Sequence, residues 1–261
     1  MRTIALLVIT LFSLTLSPVF AADSLPEKHW TTYGKVGYFS WMEWRDNGDE
    51  YIRDDGVLYA VGVTRTDRFL KHLILSETIE VWGGDVVYDG EVIATGESFR
   101  RNDNTYIGMR EEVRATAEIP IRSVRFSPFV GLEHKWWSRE VEDEVWDMAF
   151  TRVGARIAHV TPKTTVYIEG GAALPLYTKN HWATSDFTDF PDVVLRPKAR
   201  PGAFGEMGVK GTRWSCALSY ERIDFAKSDP VVLVSDTGSK GTFWQPKSST
   251  STGWLKIGYS F

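Results

Sequence analysis

Residues 253–261 read GWLKIGYSF. In an extended chain Leu255, Ile257, Tyr259 and Phe261 fall on one side, and Lys256, Gly258 and Ser260 on the other. Such a strand is half buried, and the fold turns on what covers its apolar face. The same two-residue alternation recurs along the chain, broken by Gly, Asn, Asp and Pro clusters. It predicts strands at about 34–45, 56–66, 71–87, 104–119, 123–138, 144–160, 164–178, 202–211, 213–226 and 251–261. Most of these stretches are long. Strands of soluble domains run to about 5–6 residues, whereas a strand tilted across a bilayer needs about 9–11.

The connections alternate between long and short. TDRF, PIRS, TPKT and KGT are short, while 179–201 and 227–250 are long. Short turns at one end and longer loops at the other are the asymmetry of outer-membrane barrels, and an even strand count puts both chain ends beside the short turns. Within strands, the parity separates Ile107, Met109, Val113 and Ala115 from Arg110, Glu112 and Arg114. It likewise separates Val130, Leu132 and Trp136 from Arg125, Glu133 and Lys135. A lipid-facing barrel turns such a polar face inward, and its sheet must close because hydrocarbon offers no partner to a free backbone amide. Two strands resist this reading. In the first, Phe39 and Trp41 oppose Tyr38 and Met42, with no clear inner face. In the sixth, Trp146, Met148 and Phe150 share parity with Arg152 and Arg156, and a bulge near Ala149 would reconcile the two halves.

The first residues carry Arg2, an apolar run from Ile4 to Leu16 and a small-residue exit at Ala21. This is the pattern of a secretory signal over 1–21; a periplasmic segment over 22–33 and a barrel over 34–261 would follow. No later run approaches the length of a membrane helix. The single cysteine, Cys216, excludes a disulfide framework and falls on the apolar side of its strand. The chain is mildly acidic at a net charge of −4 without a basic block, which argues against nucleic acid as a partner. Eleven tryptophans and ten tyrosines fit interfacial girdles.

The terminal strand resembles that of bacterial outer-membrane β-barrel proteins, which ends in Phe with apolar or aromatic residues at alternate positions before it. The resemblance implies a closed, antiparallel, up-and-down transmembrane barrel of about ten strands in a Gram-negative outer membrane, surrounded by lipid and lipopolysaccharide. It also implies that Leu255, Ile257, Tyr259 and Phe261 are read by the barrel-assembly machinery. Ten strands is the size class of omptin proteases and some neisserial adhesins. The omptin Asp-x-His dyad is absent here, Asp54-Asp55 is a poor match for that family's Asp pair, and the His-x-Ser-Asn pattern of outer-membrane lipid hydrolases is also missing.

The inner face collects a charge network of Arg110, Glu112, Arg114, Arg125, Glu133, Lys135, Arg152, Arg156, Glu169, Glu206, Lys210, Glu221 and Lys256. In a narrow, partly dry lumen such charges pair rather than stand alone, which favours a plugged barrel over an open porin-like channel. Rim candidates for acid–base chemistry are His134, His181 and Asp186, each set against a plainer reading as a girdle or loop residue. No cofactor motif and no metal-ligand spacing is present in the sequence. The expected role is surface binding, adhesion or envelope integrity through the outer loops; a rim hydrolase and a narrow passive channel are the alternatives.

Overall fold

The computed structural model describes residues 28–91, 97–141, 143–186 and 188–261. The expected signal and residues 22–27 lie outside the described residues. Ten strands form the wall: β1 (Lys28–Trp44), β2 (Glu50–Leu70), β3 (Leu73–Glu91), β4 (Ser98–Ala117), β5 (Val124–Arg139), β6 (Glu144–Val160), β7 (Thr165–Trp182), β8 (Gly202–Lys210), β9 (Trp214–Ala226) and β10 (Lys247–Ser260). Each pairs antiparallel with its neighbours in chain order, and β1 returns to β10 in a continuous register from Thr31↔Ser260 to Trp44↔Lys247. Trp30 and Phe261 exchange both backbone hydrogen bonds, at 3.2 and 3.0 Å, and seal the seam at the short-turn end. The sheet has no free edge, which is the condition for a backbone surrounded by hydrocarbon.

Several strands run past their expected ends. β2 starts at Glu50 rather than at 56, β3 continues to Glu91 and β7 to Trp182, and β1 begins at Lys28 within the expected periplasmic segment. Most of the extra length lies at the long-loop end, where the outward residues Arg53, Asp55, Asp85 and Asp147 are polar. That part of the wall stands in water beyond the apolar belt, so its outer face carries no greasy alternation to read.

Lower down, the outer surface is apolar. Val61 is 62 % exposed, Leu132 59 %, Ile168 57 % and Leu218 56 %. Each such side chain left in water would forgo about 1.5–3 kcal/mol of burial, so this belt calls for lipid around it. Cys216 also lies exposed on this face. At the short-turn end Trp214 packs edge-on against Tyr259, with centroids 4.9 Å apart, and Tyr259 stacks on Phe261. These rings mark the lower border of the belt.

β1 and β6 keep one parity throughout. On β1, Lys35, Phe39, Trp41 and Glu43 point inward, and Val36 and Tyr38 point outward. On β6 no reversal occurs near Ala149: Trp146, Met148 and Phe150 are all fully buried in the lumen, in line with Arg152 and Arg156. The irregularity lies on the partner strand, where Ala149 pairs with Tyr177 and Phe150 with Pro175, leaving Leu176 as the extra residue of β7. The reason is environmental. Inside the belt the wall has oil outside and charge inside; above it, water lies outside and an apolar core inside.

Short elements cap the long-loop end. Val193–Leu195 pairs with the top of β7, Lys198–Ala199 pairs with β9, and a separate hairpin joins Val231–Val234 to Lys240–Phe243. Phe243 packs edge-on against both Trp182 and Phe190 and ties this hairpin to the preceding loop.

Candidate functional site

The lumen is built in three tiers. Nearest the short turns, inward residues of β3–β10 form an ionic tier in which nearly every charge has an opposite neighbour. Arg110 contacts Glu112 and, at 2.5 Å, Glu133; Arg114 bridges Glu112 at 2.7 Å and Glu169 at 2.8 Å. Arg152 reaches Glu133 at 2.7 Å and Glu221 at 3.4 Å, and Lys135 joins Glu221 at 2.7 Å. Arg156 holds Glu169 at 2.8 Å, and Lys256 holds Glu206 at 2.6 Å. Three guanidiniums also stack on rings: Arg152 over Phe204, Arg114 over Phe129 and Arg156 over Tyr167. Each carboxylate serves two or more cations, so removing one member leaves a buried charge uncompensated rather than merely deleting a pair.

Arg125 lies lower, paired with Glu118 at 2.8 Å. Lys210 ends β8 facing the lumen and has no carboxylate within 4 Å among the described residues. The tier also contains members the alternation did not single out. Lys35 meets Glu80 at 2.5 Å, and the Tyr33 hydroxyl donates to the same carboxylate. Lys35 was hidden by sharing its face with Phe39 and Trp41, and Glu80 by standing between Ile79 and Val81.

The second tier is an aromatic plug. Trp41, Tyr106, Trp146, Met148 and Phe150 are at most 1 % exposed, and Phe39, Leu58, Val86, Trp137, Ala173, Ile223 and Phe225 complete the cluster. Trp137 stacks on Trp146 at 5.8 Å, and Trp41 meets Trp146 edge-on at 5.0 Å. These rings come from β1, β5, β6 and β9, on different sides of the wall, and they meet across the lumen.

A third, polar tier lies between the plug and the loops. Arg139, 2 % exposed, contacts Glu43 and Glu144 at 2.9 Å and Asp54 at 3.6 Å. Three buried carboxylates on one guanidinium would be costly, and neutral donors make up the difference. The Trp41 and Trp146 indoles donate to Glu43 and Glu144, and the Tyr106 hydroxyl and Asn104 amide donate to Asp54. Gln245, from the last loop, donates to Glu43 at 3.0 Å and accepts from Asn180 at 2.7 Å, which locks that loop onto the barrel. No sequence pattern marked this group. Parity with Trp41 and Trp146 was the available signal, because Glu43 and Glu144 sit on the same faces.

The rim candidates separate in space. His134 is on the outer wall, its Nε2 2.8 Å from Asp147 and its Nδ1 3.7 Å from Glu111. Tyr177 donates to the same Asp147. A carboxylate faces each ring nitrogen, so His134 is held between two flanking strands of the outer wall. His181 belongs to the top of β7, and Asp186 to the single helical turn Thr184–Asp186. The neighbouring Asp186 carboxyl pushes that of Asp143 above the ordinary range. Ser185 donates through backbone and hydroxyl to Asp192, which it holds below that range. Among the described residues, no three His, Cys, Asp or Glu side chains converge as metal ligands. In the last strand, Leu255 and Ile257 lie on the belt, and Tyr259 and Phe261 lie in the lower aromatic border.

No protein-family model and no curated sequence matches the chain. Solved structures do. The chain is similar to the outer membrane protease OmpT from Escherichia coli, at 7 % identity and a TM-score of 0.52, over 92 % of this chain and 100 % of that one. It is also similar to the transport unit of the autotransporter AIDA-I from Escherichia coli, at 13 % identity and a TM-score of 0.45, over 97 % of each chain. At these identities the likeness is one of fold. With its closed ten-strand wall and apolar belt, the chain has the fold of bacterial outer-membrane β-barrel proteins, in agreement with an outer-membrane location.

Proposed function

We propose that this protein is a non-conducting outer-membrane barrel that works through its extracellular loops, in surface binding, adhesion or envelope integrity. One observation carries the reading: the aromatic plug from Phe39 to Phe225 spans the bore between two charged tiers. A cylinder sealed across its middle is a platform rather than a conduit. The cap built on it supports the same reading. Its hairpin exposes Val232 and Val234, at 61 % and 53 %, and Trp244 lies half exposed beside it under the Lys227 ammonium. Loops held by a rigid scaffold and carrying exposed apolar side chains suit recognition. In this reading the belt takes lipid, lipopolysaccharide surrounds the upper wall, and the apolar face of β10 is the assembly signal.

The test is electrical. Purified, refolded protein in planar bilayers is expected to give no steady unitary steps. Reproducible steps from the intact barrel would overturn the proposal, while steps appearing only in Trp41→Ala/Trp146→Ala would locate the seal. The rim-hydrolase alternative rests on His134, His181 and Asp186, and it is tested by incubation with lipopolysaccharide, phospholipid and basic peptides.

A further inference from the structure

Below the plug the lumen opens toward the short turns as a blind cup of about 680 Å³. That volume lies in the range of small-molecule sites. Its wall carries nine Lys and Arg side chains against six Glu, an excess of three cations. Glu133 and Lys135, which meet at 3.3 Å just above, cancel each other and leave the excess unchanged. A filled structural lumen would be neutral, because every surplus charge in a confined space raises its energy. The ionic tier nearest the plug does approach neutrality, so the surplus lies at the mouth.

There the geometry is specific. Arg156 and Lys210 face the space from β6 and β8, and the turn residue Lys163 lines the same space. Neither lysine has a carboxylate within 4 Å among the described residues. Arg125 enters from β5, where its partner across the ladder is Ala158, two residues from Arg156 on the same face. Arg156 is stacked on Tyr167 and pinned by Glu169, and its side chain remains 37 % exposed toward the cavity. Between these cations the wall is lined by hydroxyls, among them Thr66, Thr116, Ser127 and Thr165. Guanidinium and ammonium groups held in place, with neutral donors between them and no competing carboxylate at Lys210, form a preorganised receptor for several negative charges.

We infer that this cup is a binding site for a small oligoanion, a molecule bearing about three negative charges on phosphate or carboxylate groups, entering from the short-turn side. The site is independent of the loops. It uses the closed lumen only as a floor, and its test does not depend on conductance.

The experiment is calorimetric titration of the full-length refolded barrel in a zwitterionic detergent at low salt. The probes are sodium tripolyphosphate, sodium citrate and the neutral trisaccharide raffinose. At least one trianion is expected to bind saturably, raffinose is not, and the affinity falls as salt is raised to about 0.5 M. Whichever anion binds more tightly assigns the ligand to the phosphate or the carboxylate class. Lys210→Glu is expected to weaken binding at least about tenfold, because it replaces an attraction with a repulsion at the mouth. The loop variant Lys198→Ala is expected to leave it unchanged. Heat-modifiable migration checks that each variant is folded, and Lys210→Gln replaces Lys210→Glu if the latter is not. Absence of binding by both anions, equal binding of raffinose, or unchanged affinity in a folded Lys210 variant would each overturn the inference.

Discussion

The two halves of the barrel solve opposite problems with one backbone. In the belt, β6 turns Val153, Ala155 and Ile157 outward and Arg152 and Arg156 inward; above the belt it turns Asp147 outward and Trp146, Met148 and Phe150 inward. β9 repeats the inversion. Leu218 and Tyr220 face out beside the inward Glu221, and then Arg222 and Asp224 face out while Ile223 and Phe225 are buried. Along β6 and β9 the parity never slips; only the surroundings change. The lower half is a membrane protein with an ionic interior, and the upper half is built like a water-soluble barrel with an oily one. Apolar contact therefore holds the lower wall to lipid and the upper wall to itself.

The largest expected effect tests the oily interior. Trp146→Ala removes a fully buried ring from the centre of the plug and is expected to cost about 3–5 kcal/mol, read from denaturant unfolding of the barrel in vesicles. Leu132→Ala, which faces lipid in the lower half, is expected to cost far less, because no packed neighbour is lost. Equal losses would break the distinction between the halves. Arg139→Ala strands Glu43, Asp54 and Glu144 above the plug, and an uncompensated buried charge costs about 3–5 kcal/mol. It is also expected to free the last loop, because the Glu43 held by Arg139 anchors Gln245; faster limited proteolysis within residues 226–247 is the readout.

Charge insertion sharpens the boundary itself. Leu132→Arg places a guanidinium in the belt and is expected to destabilise the barrel by about 2–4 kcal/mol, whereas Asp85→Arg on the outer face above it is expected to cost about 0–1 kcal/mol. A comparable cost at both sites would mean that the belt extends higher than the outward residues indicate. The smallest effect lies in the loops. Asp143 is held above the ordinary carboxylate range by the neighbouring Asp186 carboxyl. The folded loop then retains the proton more tightly than the unfolded one, so the contact is strongest in acid and weakens as pH rises through the raised value. Proteolysis near Asp186 is expected to slow as pH is lowered through that range, and Asp143→Asn is expected to remove the dependence.

Where the environment was uniform, alternation could be read directly. β4 and β5 lie largely in the belt, and their inner residues, from Arg110 to Lys135, stand on the face their parity assigned. β1 was ambiguous because both halves of its inner face were read with one rule, under which Lys35 and Trp41 conflict. Glu43, Arg139 and Glu144 went unmarked for the same reason: above the belt, charges occur on both faces, and parity alone cannot tell a buried carboxylate from a solvated neighbour. Asp54 and Asp55 show this most plainly, since one is fully buried on Arg139's cluster and the other lies on the outer wall. The rim histidines were no easier. His134 was read as a girdle or catalytic residue, but its partners Glu111 and Asp147 come from flanking strands, a pairing that register decides.

The sequence by itself determined a closed antiparallel barrel of ten membrane-length strands, because period-two patterning, strand length and loop asymmetry are local properties written along the chain. Only the tertiary structure decided where along strands such as β1 and β6 the oil passes from the outer side to the inner one. That depends on the height at which a residue stands relative to the belt, and height is set by strand tilt and register around the whole ring. The plug, the Arg139 cluster and the cationic cup all arise there, where side chains distant in the chain meet at one level.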